Sequence, residues 1–323
     1  MLLDPMIKEI KGKKLKIVLT EGHDPRVLEA ASKLLAEDLV VPVLIGDVKV
    51  IEDLAKEKGW DISGAEMIDV ATYDKFDEMV STMVELRKGK QTAEECAKLL
   101  KQTNYFGTLM VKMGMANGLV GGATYSTADT VRPALQLVKT KPGSKSVSSG
   151  LVLYKDDESE KYVCGDCAIA IDPTSDELAE LGCELAKTAR MFGIDPRVAF
   201  LSYSTKGSGK GDAVTKVVEA VKKVDEMNVD FEYDGELQFD AAFVPEVGQL
   251  KSPGSKVAGH ANVFVFPEIQ SGNIGYKMVQ RLGKFNALGP ILQGLNAPIN
   301  DLSRGCSTRD VYEMCIVTAA QSI

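Results

Sequence analysis

Along the first half of the chain, short continuous apolar runs alternate with apolar stripes at helical spacing. Leu15 to Thr20 reads as a buried strand. Asp24 then caps a helix with Pro25 at its first position and Val27, Leu28, Ala31, Leu34 and Leu35 on one face. Val40 to Ile45 is a second run, closed by Gly46-Asp47, and Ile51 to Lys58 is helical. Met67 to Val70 is extended, Phe76, Met79, Val80, Met83 and Val84 make a helical stripe that ends at Arg87-Lys88-Gly89, and Thr92-x-x-Glu95 opens another helix by a capping box. This β-α-β-α order predicts an α/β fold, a parallel sheet covered by helices.

Gly118 to Thr127 reads as a strand entering a glycine-rich turn, with Ser126 or Thr127 capping a helix that carries Val131, Leu135 and Val138. Arg132 sits in its early turns. In open α/β sheets ligands gather at the carboxyl ends of strands, where this arginine could meet a phosphate or simply be a surface residue. Lys, Pro, Gly and Ser then accumulate without periodicity over residues 139–149, which predicts a crossing between domains. Beyond it, Gly150 to Tyr154 and Tyr162 to Ile171 form two strands around an acidic tip at Asp156-Asp157-Glu158. Ser175 or Asp176 starts a helix to Phe192, Val198 to Ser204 is a strand, Ala213 to Met227 is a helix, and a further amphipathic helix follows Asn273. Residues 287–292 lead the chain into its last loop. The final helix needs a surface to cover, so the expected domains are 1–145 plus 301–323, and 146–300.

That last loop, Ala297 to Asp310, holds a hydroxyl, a guanidinium, a thiol and a carboxylate within a few residues. Pro298 and Gly305 mark irregular backbone, where functional side chains tend to sit. Ser307 caps the helix that carries Val311, Met314, Cys315, Thr318 and Ala319, and a helix start attracts anions. Ser307-x-x-Asp310 also fits a capping box, in which Asp310 serves only its own backbone.

Composition narrows the field. The 323 residues suit two domains, and no apolar run approaches the ~20 residues of a membrane span. The lysines of the first 16 residues precede an apolar stretch too short for a signal peptide, so a cytoplasmic address is expected. A net charge of −8 argues against nucleic acid but leaves room for a locally positive site for small anions. Six scattered cysteines make no disulfide framework, and two histidines, His23 and His260, preclude a His-rich metal site. Cys164-Gly165-Asp166-Cys167 lacks a second pair for zinc and reads as a turn or bulge. Residues 204–212, rich in Gly with Lys206 and Lys210, have Gly211 where a P-loop needs Ser or Thr and Asp212 where GxGxxG needs glycine, leaving a flexible turn.

Several segments together resemble the phosphate acetyltransferase (phosphotransacetylase) branch of the phosphate acetyl/butyryltransferase family. They are Glu21 to Ala31, Gly121 to Pro133, Ser202 to Ser208, Asp234 to Ala242, Gly272 to Lys277, Gly289 to Gly294, and Asp301-Leu302-Ser303-Arg304-Gly305-Cys306-Ser307. The resemblance implies two α/β domains of the isocitrate/isopropylmalate dehydrogenase type with a cleft between them, and a homodimer. It implies acetyl transfer between coenzyme A and phosphate, with coenzyme A a substrate and no metal or other cofactor. Asp310 would take the thiol proton, Ser303 and Arg304 would contact the transition state, and Arg132 and Arg87 would bind anions. Ser126, Thr127 and Cys306 would complete the substrate-binding set.

The residue types suit that chemistry. Thiolate attack on acetyl phosphate joins two anions, so guanidinium groups must hold the phosphate. The developing oxyanion needs preorganised donors. An Asp310 held in a capping box would be a poor base, because the helix end lowers its proton affinity, so the expectation is that it turns toward the cleft. A longer-chain acyl form is the nearest rival. A nicotinamide-dependent dehydrogenase would want a dinucleotide fingerprint and metal-binding aspartates that do not stand out, and a non-catalytic regulatory module is a third possibility.

Overall fold

The computed structural model describes all 323 residues. Its strands are β1 (Lys16–Leu19), β2 (Val41–Ile45), β3 (Glu66–Ile68), β4 (Gly118–Gly121), β5 (Ser148–Tyr154), β6 (Lys161–Gly165), β7 (Arg197–Leu201), β8 (Glu232–Leu237), β9 (Val263–Val265), β10 (Asn286–Gln293) and β11 (Ile299–Asp301). By contact the chain divides into two units. One comprises Met6–Pro142 with Leu295–Ile323, the other Met1–Pro5 with Gly143–Gly294. The divisions fall at 142/143 and 294/295 rather than 145/146 and 300/301. Residues 295–301 join the earlier unit because β11 pairs with β4 and the Asn296 N–H donates to the Lys139 carbonyl.

The unit built on residues 6–142 has a five-stranded sheet in the order β11-β4-β1-β2-β3. Every pairing in it is parallel, as the alternating sequence predicts. The strands are short and nearly all buried, so they read as continuous apolar runs. Asp24 caps the helix Pro25–Ala36, its side chain accepting from the Arg26 N–H. The helix Thr103–Lys112, which shows no amphipathic stripe, is buried from Asn104 to Val111 and forms the core with Val18, Ile45 and Leu119. The final helix, Thr308–Gln321, is buried from Val311 to Ala319 apart from Tyr312.

The chain leaves β1 for β2 and β3 on one side, then returns to β4 on the other. The switch in direction therefore falls between β1 and β4, the place where open α/β sheets bind ligands.

The second unit has a six-stranded mixed sheet, β10-β5-β6-β9-β7-β8. The expected hairpin is there, β5 antiparallel to β6, but its second strand stops at Gly165 instead of Ile171. Asp166 ends it: its buried carboxylate accepts the N–H groups of Ala168, Ile169 and Ala170, which turns the backbone out of the ladder. Residues 287–292 are not a connecting loop but part of β10, antiparallel to β5, with the register slipping between Leu288 and Ile291 around Gly289-Pro290. An edge position tolerates that proline. The glycine turn after β7 is pinned rather than flexible. Glu236 accepts from Ser204 Oγ and the Gly207 N–H, and Lys206 pairs with Asp234.

Candidate active site

Glu21, the second residue past β1, fills the switch point. Its Oε1 accepts from the N–H groups of Gly122 and Thr124, both at 3.0 Å, in the loop that follows β4. Thr20 Oγ1 donates to the other oxygen at 2.7 Å.

Five residues further on, Arg26 organises the loop after β11. Its Nη2 donates to Asp24 Oδ2 at 2.7 Å and to the Ala123 carbonyl at 2.9 Å. Its Nη1 donates to the carbonyls of Arg304 and Cys306 at 2.9 and 3.0 Å, with Cys306 Sγ at 3.6 Å. One planar fork thus joins the turns after β1, β4 and β11. Burial pushes the Asp24 carboxyl up, but hydrogen bonds and charge from Arg26 more than reverse this and hold it below the ordinary carboxylate range.

Residues 303–306 form a tight turn in which the Cys306 N–H donates to the Ser303 carbonyl and the Gly305 N–H to Ser303 Oγ. The turn presents Ser303 and Arg304 to solvent and buries Cys306. Burial pushes the Cys306 thiol up to about 11, Arg26 opposing. Cys306 therefore packs beneath the turn that presents Ser303 and Arg304.

Ser307 caps the final helix. The box is complete, with Asp310 Oδ2 accepting from the Ser307 N–H at 2.7 Å and Ser307 Oγ at 2.9 Å. Asp310 faces its own helix start here, contrary to the expectation that it turns away. The reason is local: the Ser307 N–H has no carbonyl partner, and a carboxylate three residues on is the nearest acceptor.

The anion-binding candidates lie in the same unit. Ser126 stands at the N-cap of the helix Thr127–Pro133 without a side-chain cap bond, its hydroxyl donating instead to Asp129 at 2.6 Å. Thr127 is exposed at the first position. Arg132 is exposed and only loosely paired, 3.7 Å from Asp129. Past Pro133, which cannot donate to the ladder, the chain continues as a π-helical turn, Ala134–Val138. Arg87, in the last turn of the helix Phe76–Arg87, donates to Gln91 and to the Gln136 carbonyl of that π-helical turn. Both Arg87 and Arg132 act on Tyr105, whose hydroxyl burial pushes up while the two positive charges oppose it. The two arginines thus both lie within electrostatic reach of Tyr105, from separate helices.

Sequence reasoning passed over three contributors: Glu21, Arg26 and Asp301. Glu21 and Arg26 stood in a polar cluster immediately after a strand, a signal that the switch-point rule turns into a site. Asp301 gave no signal, because residues 299–301 read as loop rather than as an edge strand. No group of three or more His, Cys, Asp or Glu residues is placed to hold a metal ion.

This geometry belongs to a mixed α/β protein whose candidate site residues gather at the carboxyl end of a parallel sheet. A family model described as Phosphate acetyl/butaryl transferase matches residues 1–319. A phosphate acetyltransferase of Bacillus subtilis (strain 168) is 52% identical over 316 residues, 98% of this chain and 97% of that relative. One from Staphylococcus aureus (strain Mu50) is 53% identical over 326 residues, 100% of this chain and 99% of that relative. A solved phosphotransacetylase structure from Streptococcus pyogenes shares 52% identity at a TM-score of 0.96, covering 99% of this chain and 98% of that one. The chain belongs to the phosphate acetyl/butyryl transferase family.

Proposed function

We propose that this chain catalyses reversible acetyl transfer between coenzyme A and inorganic phosphate: acetyl-CoA + phosphate ⇌ acetyl phosphate + CoA. The observation that carries the reading is the match of the family over residues 1–319. The Ser303–Asp310 segment, hung from Arg26 at the carboxyl ends of a parallel sheet, supports it.

In the direction of acetyl-CoA synthesis, the CoA thiol gives up its proton and its sulfur attacks the carbonyl carbon of acetyl phosphate in a ternary complex. The carbonyl π pair moves onto oxygen. When it returns, the carbon–oxygen bond to phosphate breaks and phosphate leaves with that electron pair. Ser303 Oγ and Arg304 are exposed on the turn, where they can donate to the oxyanion and the phosphate. Arg132 and Arg87 supply positive charge for the anionic substrates. Asp310 has Oδ1 outside its cap and can take the thiol proton there. Ser126 and Thr127, at a helix start, offer hydroxyls to a phosphate. Coenzyme A enters as a substrate, and the reaction as written needs no metal or redox cofactor.

The same reading includes a homodimer, a cytoplasmic location and the isocitrate/isopropylmalate dehydrogenase type of domain pair. The two contact units, one with an all-parallel and one with a mixed sheet, support the last of these. No helix is long and apolar enough to cross a membrane. Because the family includes butyryl transferases, a longer-chain acyl form is the second reading.

Phosphate-dependent release of CoA from acetyl-CoA, followed with a thiol reagent, tests the activity. Wild type releases CoA and Arg304→Ala is slower by about 100-fold or more, the scale of losing a charged transition-state contact. No phosphate-dependent release by wild type rejects the reading, and a faster rate with butyryl-CoA selects the second one.

A further inference from the structure

Asp301 ends β11, two residues before Ser303, and is 1% exposed. It fits only because Gly122 has no side chain: a Cβ there would stand 2.4 Å from Asp301 Oδ1 and 2.9 Å from the Leu302 nitrogen. Gly122 also has φ +102°, a backbone region that side chains disfavour. The strand end is fixed from the other side as well, the Leu302 N–H donating to the Gly121 carbonyl at 2.7 Å.

One oxygen of the carboxyl nonetheless lacks the partner that buried carboxyl oxygens normally have. Asp301 Oδ1 makes no hydrogen bond, and neither does the buried Thr130 Oγ1 on the helix Thr127–Pro133. Paired orphans of this kind call for an explanation. The hydroxyls of Thr130 and Thr127 face Asp301 from that helix, and Glu21 faces it from the end of β1. The charged residues of the helix, Asp129 and Arg132, pair with each other, and Arg26 is committed to Asp24 and to backbone carbonyls. On the final helix, Thr318 and Gln321 are taken by the neighbouring Asn300. Asp301 thus stands between the two halves of the candidate site: the Ser303–Cys306 turn that it leads into, and the Ser126–Arg132 helix start that it faces.

We propose that Asp301 is the positioning residue that couples these halves, its ionised carboxylate drawing in the hydroxyls of Thr127 and Thr130 as donors and so fixing the Ser126–Arg132 helix start against the Ser303 turn. A protonated Asp301 has one oxygen fewer to offer as acceptor, and the two hydroxyls no longer both have a partner. Burial, with the charge of Glu21 adding to it and the hydroxyls of Thr130 and Thr127 and the Leu302 N–H opposing it, pushes the Asp301 carboxyl up to about 6, so the coupling is lost on the acid side of neutrality.

The inference rests on the transferase reading, and the experiment separates the two. Phosphate-dependent CoA release is measured from pH 5 to 9 for wild type, Asp301→Asn and Thr130→Val, with circular dichroism to establish folding. Because phosphate itself titrates in this range, the readout is the difference between variants. Wild type loses kcat/KM on the acid side near pH 6 more steeply than Asp301→Asn. The amide variant is about 10-fold or more slower at pH 8. Thr130→Val, which removes a donor to the carboxylate, moves the acid limb upward. An Asp301→Asn enzyme with the rate and the acid limb of wild type overturns the inference. Should wild type release no CoA at any pH, the transferase reading fails instead. The carboxyl is then followed directly by 13C NMR with Asp301→Asn as the assignment control. Titration near 6 supports the inference, and titration in the ordinary carboxylate range overturns it.

Discussion

Arg26 Nη1 lies 3.0 Å from the carbonyl oxygen of Cys306 and 3.6 Å from its sulfur, across 280 positions of sequence. The same nitrogen reaches the Arg304 carbonyl, so the backbone of the turn that presents Ser303 and Arg304 hangs from a side chain on the first helix of the parallel sheet.

Arg26→Lys keeps the charge and loses the fork, since an ammonium cannot reach Asp24, the Ala123 carbonyl and the turn in one plane. The expected result is a fall in kcat/KM of about 10- to 100-fold, most of it in kcat, because the groups that meet the transition state are no longer held. Arg26→Ala costs more, and also lowers stability by about 2–4 kcal/mol through the unpaired Asp24. Steady-state kinetics and urea melts check both, and a Lys variant with full activity would remove Arg26 from the site.

The cap and the chemistry at Asp310 can be separated. Ser307→Ala removes the cap partner and leaves the carboxylate; it should cost about 1 kcal/mol of stability and little rate. Asp310→Asn should lower kcat by about 100-fold or more with little change in KM for acetyl phosphate, the scale of a lost general base. Equal, small effects from both variants would make Asp310 a cap and nothing more.

Asp301 also has a signature in stability. Its folded-state pKa, about 6, lies above the ordinary value of 3.8, so the folded state holds the proton more tightly than the unfolded one. The stability this gives is fully present below pH 3.8 and is lost as pH rises through about 6. At pH 8 the buried charge therefore costs on the order of 2–3 kcal/mol. Asp301→Asn removes that cost. Chemical denaturation should find the variant more stable than wild type at pH 8, with the gap closing toward pH 4. A variant that is slower and yet more stable carries the mark of a group retained for function.

The thiols give a direct check on the packing. Of the six cysteines, Cys183 is the only one not fully buried, and burial pushes its thiol up as well. With a thiol reagent at pH 7.5, the native chain should show no more than one accessible cysteine, and all of them after unfolding. Rapid reaction of Cys306 in a peptide map would contradict the turn described here.

The parallel sheet was legible because buried strands and amphipathic helices have distinct periods, and Asp24-Pro25 and Thr92-x-x-Glu95 marked helix starts with their own chemistry. Misreadings came where a tertiary contact overrode a local signal. Gly289-Pro290 looks like a breaker, yet an edge strand accommodates it. The residues from Cys167 to Ile171 look like a continuing strand, yet the turn expected at Gly165-Asp166 ends it, the Asp166 carboxylate accepting the N–H groups of Ala168 and Ile169. Ser303, Arg304 and Arg132 were identifiable as types in suggestive places, and the structure adds their exposure. Asp301 was not, because its meaning depends on Gly122, about 180 positions away, which no window of sequence contains. Arg26 stood in a polar cluster after a strand, but its role in holding the turn depends on Cys306, about 280 positions away.

The unit that carries these residues is assembled from both ends of the chain, with β11 and the final helix added after the whole of Gly143–Gly294 has intervened. During synthesis, β4 emerges with its outer edge open and its helix-facing side uncovered, and stays so while more than half of the chain is made. The interposed unit can close on itself first. Arg26 can bond Asp24 and the Ala123 carbonyl before that, but its bonds to the Arg304 and Cys306 carbonyls form only after β11 is made, so the turn that presents Ser303 and Arg304 is fixed late.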